Sequence, residues 1–404
     1  MAKQDIFEPG SRRMTPSGLR LNNERAVLTA VALNPEESAA QIARRTGLGP
    51  QSVSRILVKL EQAGLVRRGE ARSGQRGQPP VPISLNPDGV FCLGCEIGWR
   101  HLTLVIRNLG GEILGEHRVD YRFPDAASIA RDIAALAVQL TDHVPARFRH
   151  RILGIGLAVP VNIARHIELI GASAADAQAW RELDLVKAIE VETGLRVFSH
   201  NDGNAACWGE LAAHPAPRPN NMAYFLVGTF VAAGLIAEGR LWEGPTGNSA
   251  NLGSMIVTDR SGRQNFVHLV ASLTALEGRL VAAGKPVPAG NPDGWNWESL
   301  EPQASDWIDE AGRALAKTIA NTAAVMEFDV AVVDGDMPRA MVGRLVASVR
   351  QHTDELPIFT SARPRVEQGR LGSGAPARGA AAKPIYRRLF SRDTADLGEF
   401  LHSA

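Results

Sequence analysis

Apolar residues between positions 22 and 64 recur at helical spacing in three bursts separated by breakers. Val27, Leu28 and Val31 form the stripe of a helix over residues 22–33, which Asn34-Pro35 ends. Ser38 stands three residues before Gln41, the spacing of a capping box, and Ala39, Ile42 and Ala43 share one face of a short second helix. Gly47-Leu48-Gly49 makes a tight turn and Pro50 suits a first helical position. Val53, Ile56, Leu57 and Leu60 then mark a third helix ending at Gly64. Two short helices about a glycine turn are the plan of a helix-turn-helix. Residues 65–68 and 81–85 read as paired strands, with a Gly/Pro-rich wing over 72–80 between them.

From Gly89 the pattern changes to short β-runs interleaved with helical stretches. Residues 90–97, 101–107 and 112–121 read as strands, 126–141 as a helix, 152–159 as a continuous apolar strand and 183–193 as a helix. A short strand over 197–200 and a helix over 203–212 complete a βββαβαβα order. A related order follows about 130 residues later, with strands over 222–228, 232–237 and 240–242, helices, and a strand at 330–333. Two such halves predict a duplicated, two-lobed α/β fold with a ligand cleft between the lobes.

Composition narrows the class. The chain has 404 residues, 45% hydrophobic and 22% charged, and lacks an uncharged apolar run of about 18 residues, so a membrane protein and wholesale disorder are excluded. Three cysteines, Cys92, Cys95 and Cys207, are too few for a disulfide framework and fit a reducing cytoplasm, and the N-terminus lacks the apolar core of a signal peptide. The net charge of +1 conceals a division. Residues 1–85 carry thirteen Lys and Arg against seven Asp and Glu, a net +6, which leaves −5 for the remainder. A basic segment suits a polyanion; the alternative is a solvated basic face.

The third helix presents Gln51, Ser52, Ser54 and Arg55 off its apolar stripe. Gln and Arg pair bidentately with adenine and guanine, and Ser donates to bases or phosphates, so these residues are the expected base contacts in a major groove. Arg72 and Arg76 lie in the wing, where Arg76 beside Gly77 would enter a minor groove and Arg72, with Arg67 and Arg68, would meet phosphate. A helix pair packing on protein and a plain hairpin tip are the competing readings.

Further motifs follow in order: Leu85-Asn86-Pro87, then Gly94-Cys95-Glu96-Ile97-Gly98, then Asn201-Asp202-Gly203-Asn204-Ala205-Ala206 with Gly209-Glu210. Gly228-Thr229, then Gly244, Gly247 and Gly253, and finally Leu371-Gly372 with Gly379-Ala380-Ala381 complete the series. On these the chain resembles transcriptional regulators of the ROK (repressor, open reading frame, kinase) family over nearly its whole length. The resemblance implies an N-terminal winged helix-turn-helix followed by a two-lobed actin/hexokinase-like (ribonuclease H-like) sugar-kinase fold. The implied divisions are a flexible N-terminus (1–20), the DNA-binding domain (21–87), a first lobe (88–213), and a second lobe (214–404) with C-terminal helices returning toward the first.

In family kinases the aspartate matching Asp202 takes the proton from the sugar hydroxyl and the asparagine matching Asn201 bonds the sugar. The alternative for Asp202 is a helix cap. Other kinase parts differ here. Glu96-Ile97-Gly98-Trp99-Arg100 stands where the family has a small-residue phosphate turn, and Phe230 and Val231 follow Gly228-Thr229 where further glycines are usual. Ala250-Asn251-Leu252-Gly253-Ser254 replaces the family's sugar-holding Glu and His, and no cysteine follows to build its zinc site. The resemblance thus implies a sensor with Asn201, Asp202, Asn251 and Ser254 as sugar ligands and with no catalytic residue, metal or cofactor. The expected partners are operator DNA, a sugar or sugar-derivative effector, and further copies in a homodimer or homotetramer. A bifunctional sugar kinase using ATP and a protein-interaction module are the alternatives. His268 reads as a helix residue rather than a metal ligand, Cys92 and Cys95 as strand residues, and Trp295, Trp297 and Trp307 as anchors of a surface loop or a sugar platform.

Overall fold

The computed structural model describes residues 16–70, 81–357 and 362–391. These group into two compact units: residues 16–70, 81–90, 108–112 and 385–391, and residues 91–107, 113–357 and 362–384.

The first unit is built on three helices, α1 (Pro16–Leu33), α2 (Ala39–Thr46) and α3 (Pro50–Gln62), and an antiparallel pair, β1 (Val66–Arg68) and β2 (Ile83–Leu85). Its core is the union of the predicted stripes: Val27, Leu28 and Val31 meet Ile42, Val53, Leu57 and Leu60 under Val66 and Ile83. Gln41 Oε1 accepts from the Ser38 N–H at 2.9 Å, as the capping box requires. α1 is longer than its apolar stripe, so residues 16–20, expected in a flexible leader, are helical. The reason is compositional: the first two turns carry no stripe for periodicity to detect. Leu389 and Phe390 from the far end of the chain pack on this core, and Arg25 Nη1 donates to the Ser391 carbonyl at 2.7 Å.

The second unit carries two five-stranded sheets of the same order. One contains β3 (Phe91–Ile97), β4 (His101–Asn108), β5 (Ile113–Asp120), β6 (Ile152–Val159) and β7 (Val197–Asn201), arranged β5-β4-β3-β6-β7. Helices α4 (Ile129–Thr141), α5 (Ile163–His166), α6 (Ala174–Glu182) and α7 (Leu185–Thr193) connect its strands, and α8 (Asp202–Ala213) leaves β7. The other contains β8 (Met222–Val227), β9 (Val231–Ala237), β10 (Arg240–Leu241), then, after an insertion, β13 (Val330–Gly335) and β14 (Arg365–Gln368), arranged β10-β9-β8-β13-β14. The insertion holds a hairpin of β11 (Ile256–Thr258) and β12 (Gln264–Phe266), α9 (Val267–Val270), α10 (Leu273–Ala282) and α11 (Gln303–Val325). β3, β6 and β7 run parallel, as do β8, β13 and β14, and the near-continuous apolar sequences of the inner strands β3, β6, β8 and β13 reflect burial on both faces. α12 (Arg339–Glu355) crosses from β13 to β14, and α13 (Ala375–Leu389) follows. The carbonyls of Ala377 and Ala380 in α13 press on Gly94 of β3 and Gly156 of β6, so this C-terminal helix does return to the first sheet.

Trp295, Trp297 and Trp307 are buried in the core of the second sheet's helices, at 9%, 8% and 0% exposure. They act as anchors rather than as a sugar platform: Trp295 and Trp297 turn inward from a segment whose Asp293, Asn296 and Glu298 are exposed, and their rings reach Trp307 of α11. Cys92, Cys95 and Cys207 are buried and unpaired, and burial pushes the Cys92 thiol up to about 12, which leaves it unreactive.

Candidate functional site

Two surfaces of the described chain carry chemistry. On the first unit, Gln51, Ser52, Ser54 and Arg55 are all exposed at the start of α3, while Val53, Ile56 and Leu57 between them are buried. Sequence periodicity located this face because every third or fourth position must enter the core. Arg67 is exposed beside it. Arg44 on α2, which sequence reasoning did not single out, is exposed as well. Arg45 is held by Glu37, with contacts of 2.6 and 2.7 Å, and Arg68 by Glu61 at 2.9 Å. Arg72 and Arg76 lie outside the described residues.

On the second unit, a cavity of about 520 Å³ opens at the C-terminal ends of the parallel strands of both sheets, the usual ligand position in such folds. It brings together Asn201, Asp202, Asn251 and Ser254. Asn201, not Asp202, caps α8: its Oδ1 accepts from the Asn204 N–H at 3.0 Å. Asp202 Oδ1 accepts from the Gly203 N–H at 2.8 Å and from Asn201 Nδ2 at 3.0 Å. Burial raises the Asp202 carboxyl to about 6; the Gly203 N–H opposes this shift and the Glu96 charge adds to it. Gly203 itself lies so close to β9 that a Cβ there would stand 2.1 Å from the Ala233 carbonyl oxygen.

Beside Asp202 runs a buried ionic chain. His101 Nε2 is 3.4 Å from Glu96 Oε1, His101 Nδ1 is 3.9 Å from Asp336 Oδ2, and Arg118 Nη1 is 3.4 Å from Asp336 Oδ1. Glu96 and His101 come from the first sheet and Asp336 from the loop after β13, so the chain ties the two halves of this unit together. Burial alone would lower the His101 pKa, but the Glu96 and Asp336 carboxylates outweigh it and the net shift is upward. The His101 ring lies 2.8 Å from where a Gly98 Cβ would be.

The remaining wall is aromatic. Trp99 and Phe230 meet edge-on with centroids 4.9 Å apart, and Phe230 meets His268 at 6.0 Å. His268 is a helix residue, on α9, as its sequence context indicated, and among the described residues no cluster of three or more His, Cys, Asp and Glu has metal-holding geometry. It is also a cavity residue. Its Nδ1 accepts from the Val231 N–H at 3.2 Å, and burial, aided by His166, lowers it to about 4, so the ring is neutral and its proton resides on Nε2. Sequence reasoning missed this position because a four-residue helix has no periodicity; a histidine between Phe266 and Leu269 was the only signal.

A winged helix-turn-helix joined to a duplicated, actin-like sugar-kinase body with a polar and aromatic cleft defines the class. Residues 92–383 match the ROK family and residues 17–77 match the MarR family. The chain belongs to the ROK family. The xylose repressor of Bacillus spizizenii is 26% identical over 58% of this chain and 60% of its own, so the match spans under two thirds of that relative. The crystal structure of a ROK family transcriptional regulator, a homologue of the E. coli MLC protein, superposes with a TM-score of 0.67 at 21% identity, over 92% of this chain and 98% of that one. A ROK family glucokinase from Streptomyces griseus, in complex with glucose and AMPPNP, gives 0.57 at 22% identity, over 72% and 98%. Among the described residues no helix is long and apolar enough to cross a membrane.

Proposed function

We propose that the chain is a cytoplasmic DNA-binding repressor of carbohydrate genes whose kinase-like body senses a sugar or sugar derivative without phosphorylating it. The observation that carries this reading is one chain holding both an exposed polar face on α3 and a cleft that gathers Asn201, Asp202, Asn251 and Ser254. The working divisions are residues 21–87 for DNA and 88–213 with 214–404 for the two lobes. Gln51, Ser52, Ser54 and Arg55 read bases, and Arg72 and Arg76 extend the contact through the wing. A homodimer or homotetramer would present two heads at fixed spacing to a two-half-site operator. If the effector favours a lobe arrangement that mismatches that spacing, it lowers operator affinity by the coupling free energy, and the operator lowers effector affinity equally.

Selection of DNA fragments by the purified protein, with and without a sugar panel, tests this. A shared half-site motif whose recovery falls with one sugar is expected; random recovery unaffected by any sugar would exclude it. The retained Asp202, with its carboxyl near 6, supports a second reading, a sugar kinase, since that is a suitable range for a general base. ATP turnover on a hexose panel, abolished by Asp202→Asn, would establish the kinase instead.

A further inference from the structure

The cavity lining combines two chemistries. Asn201, Asp202, Asn251 and Ser254 form a polar group suited to hydroxyls, while Trp99, Phe230, Phe266 and Leu269 form an apolar one. Trp99 and Phe230 are half-buried, and Phe266 and Leu269 are 47% and 44% exposed, so the apolar wall reaches the mouth. At about 520 Å³ the space falls within the roughly 300–1,000 Å³ typical of sites for drug-sized ligands. A single pyranose ring is too small to fill that volume, so part of the lining is left for a second group.

The same cavity offers little to a phosphate. In both strand-end turns the glycine amide is already engaged: the Gly98 N–H donates to the His101 carbonyl at 2.8 Å, and the Gly228 N–H donates to the Phe230 carbonyl at 3.0 Å. Asp336 N donates to the Val227 carbonyl at 2.9 Å. Glu96 and Asp336 add buried carboxylates, and the cations beside them, His101 and Arg118, are committed to those carboxylates. Arg165 lines the cavity but is exposed to solvent. An anion entering the turns would meet the negative charge of Glu96 and Asp336 and find both glycine amides engaged.

We propose that the effector is an uncharged glycoside, its sugar ring held by Asn201, Asp202, Asn251 and Ser254 and its aglycone or second ring laid on the Trp99–Phe230 wall. This rests on the sugar-sensor reading above. Aryl glycosides and disaccharides share the required chemistry, a polyol joined to a second flat face, because aromatic rings pack on both aryl groups and the C–H faces of sugars.

The full-length chain is titrated calorimetrically with D-glucose and D-xylose, their 4-nitrophenyl glycosides, cellobiose, xylobiose and glucose 6-phosphate. At least one glycoside binds about tenfold or more tightly than its parent monosaccharide, and glucose 6-phosphate binds more weakly than glucose. Gain by the aryl compound alone identifies an aromatic aglycone; gain by the disaccharide alone identifies a second sugar. Trp99→Leu and Phe230→Leu, checked for folding by circular dichroism, remove the advantage and leave the monosaccharide Kd within about twofold. Equal affinity of monosaccharide and glycoside, tighter binding of the phosphate, or an advantage that survives both substitutions overturns the proposal. Absence of saturable binding by every compound overturns the sensor reading itself, which is a different failure.

Discussion

The two sheets of the body share one strand order yet furnish the cleft between them by different routes. The first supplies Glu96, His101, Asn201 and Asp202 from its strand ends. The second supplies the Phe230 turn and, from the insertion between β10 and β13, Asn251, Ser254, Phe266 and His268. In the first sheet the corresponding link from β5 to β6 carries only one α-helix, α4. Repetition of a fold therefore sets where a ligand sits, and departures from the repeat set what that ligand is.

The comparison breaks most severely where the halves touch backbone to backbone. Gly203→Ala would drive a methyl into the Ala233 carbonyl, and a loss of about 3 kcal/mol or more is expected in denaturant unfolding. An unchanged midpoint would show that the α8–β9 contact yields easily. Next is Asp202→Asn. A carboxyl whose folded value is raised from 3.8 to about 6 favours the native state below pH 3.8, and that advantage is lost as pH rises toward 6. The neutral amide should therefore raise stability at pH 7 by up to about 3 kcal/mol, with the gain vanishing near pH 4, while sugar binding is lost. A pH-independent difference would place the effect elsewhere.

Arg55→Ala, on the head rather than the body, should cost operator binding about 1–3 kcal/mol by fluorescence anisotropy, with sugar affinity of the free protein unchanged. Equal losses in both would merge the two surfaces into one. The smallest effect belongs to His101. Its folded pKa lies above 6.5, so its contribution to stability is full below pH 6.5 and is lost as pH rises through the folded value. His101→Gln should flatten that part of the stability profile, and an identical profile in both proteins would show that the imidazole is neutral throughout.

How legible these regions were in the sequence follows from their burial. α3 is buried along one stripe, so Val53, Ile56, Leu57 and Leu60 located it and left Gln51, Ser52, Ser54 and Arg55 outward. The inner strands β3, β6, β8 and β13 read as nearly continuous apolar runs, whereas the polar edge strand β14 left no such signal. α11 escaped resolution because Ala304, Trp307, Glu310, Thr318 and Thr322 are all buried, which spreads its apolar and polar positions around the helix. Asn201 and Asp202 were found through their motif, but which of them caps α8 depended on backbone geometry that Asn-Asp-Gly permits either way. Trp295 and Trp297 lie in a Gly/Pro-rich segment, which marks a surface loop but leaves open whether its aromatics turn inward as anchors or outward as a platform; burial decides for anchors.

The Glu96–His101–Asp336–Arg118 chain has a consequence for ionic strength. Its members are largely withdrawn from water, so dissolved salt screens them little, whereas the contacts the head would make with DNA phosphates weaken steeply with salt, because releasing counterions into a saltier solution gains less free energy. Salt should thus detach the protein from DNA while the cleft keeps its shape and its ligand. In a cell whose internal salt rises under osmotic stress, genes under this regulator would be released without any change in sugar supply, and the sensing half would still report the sugar correctly.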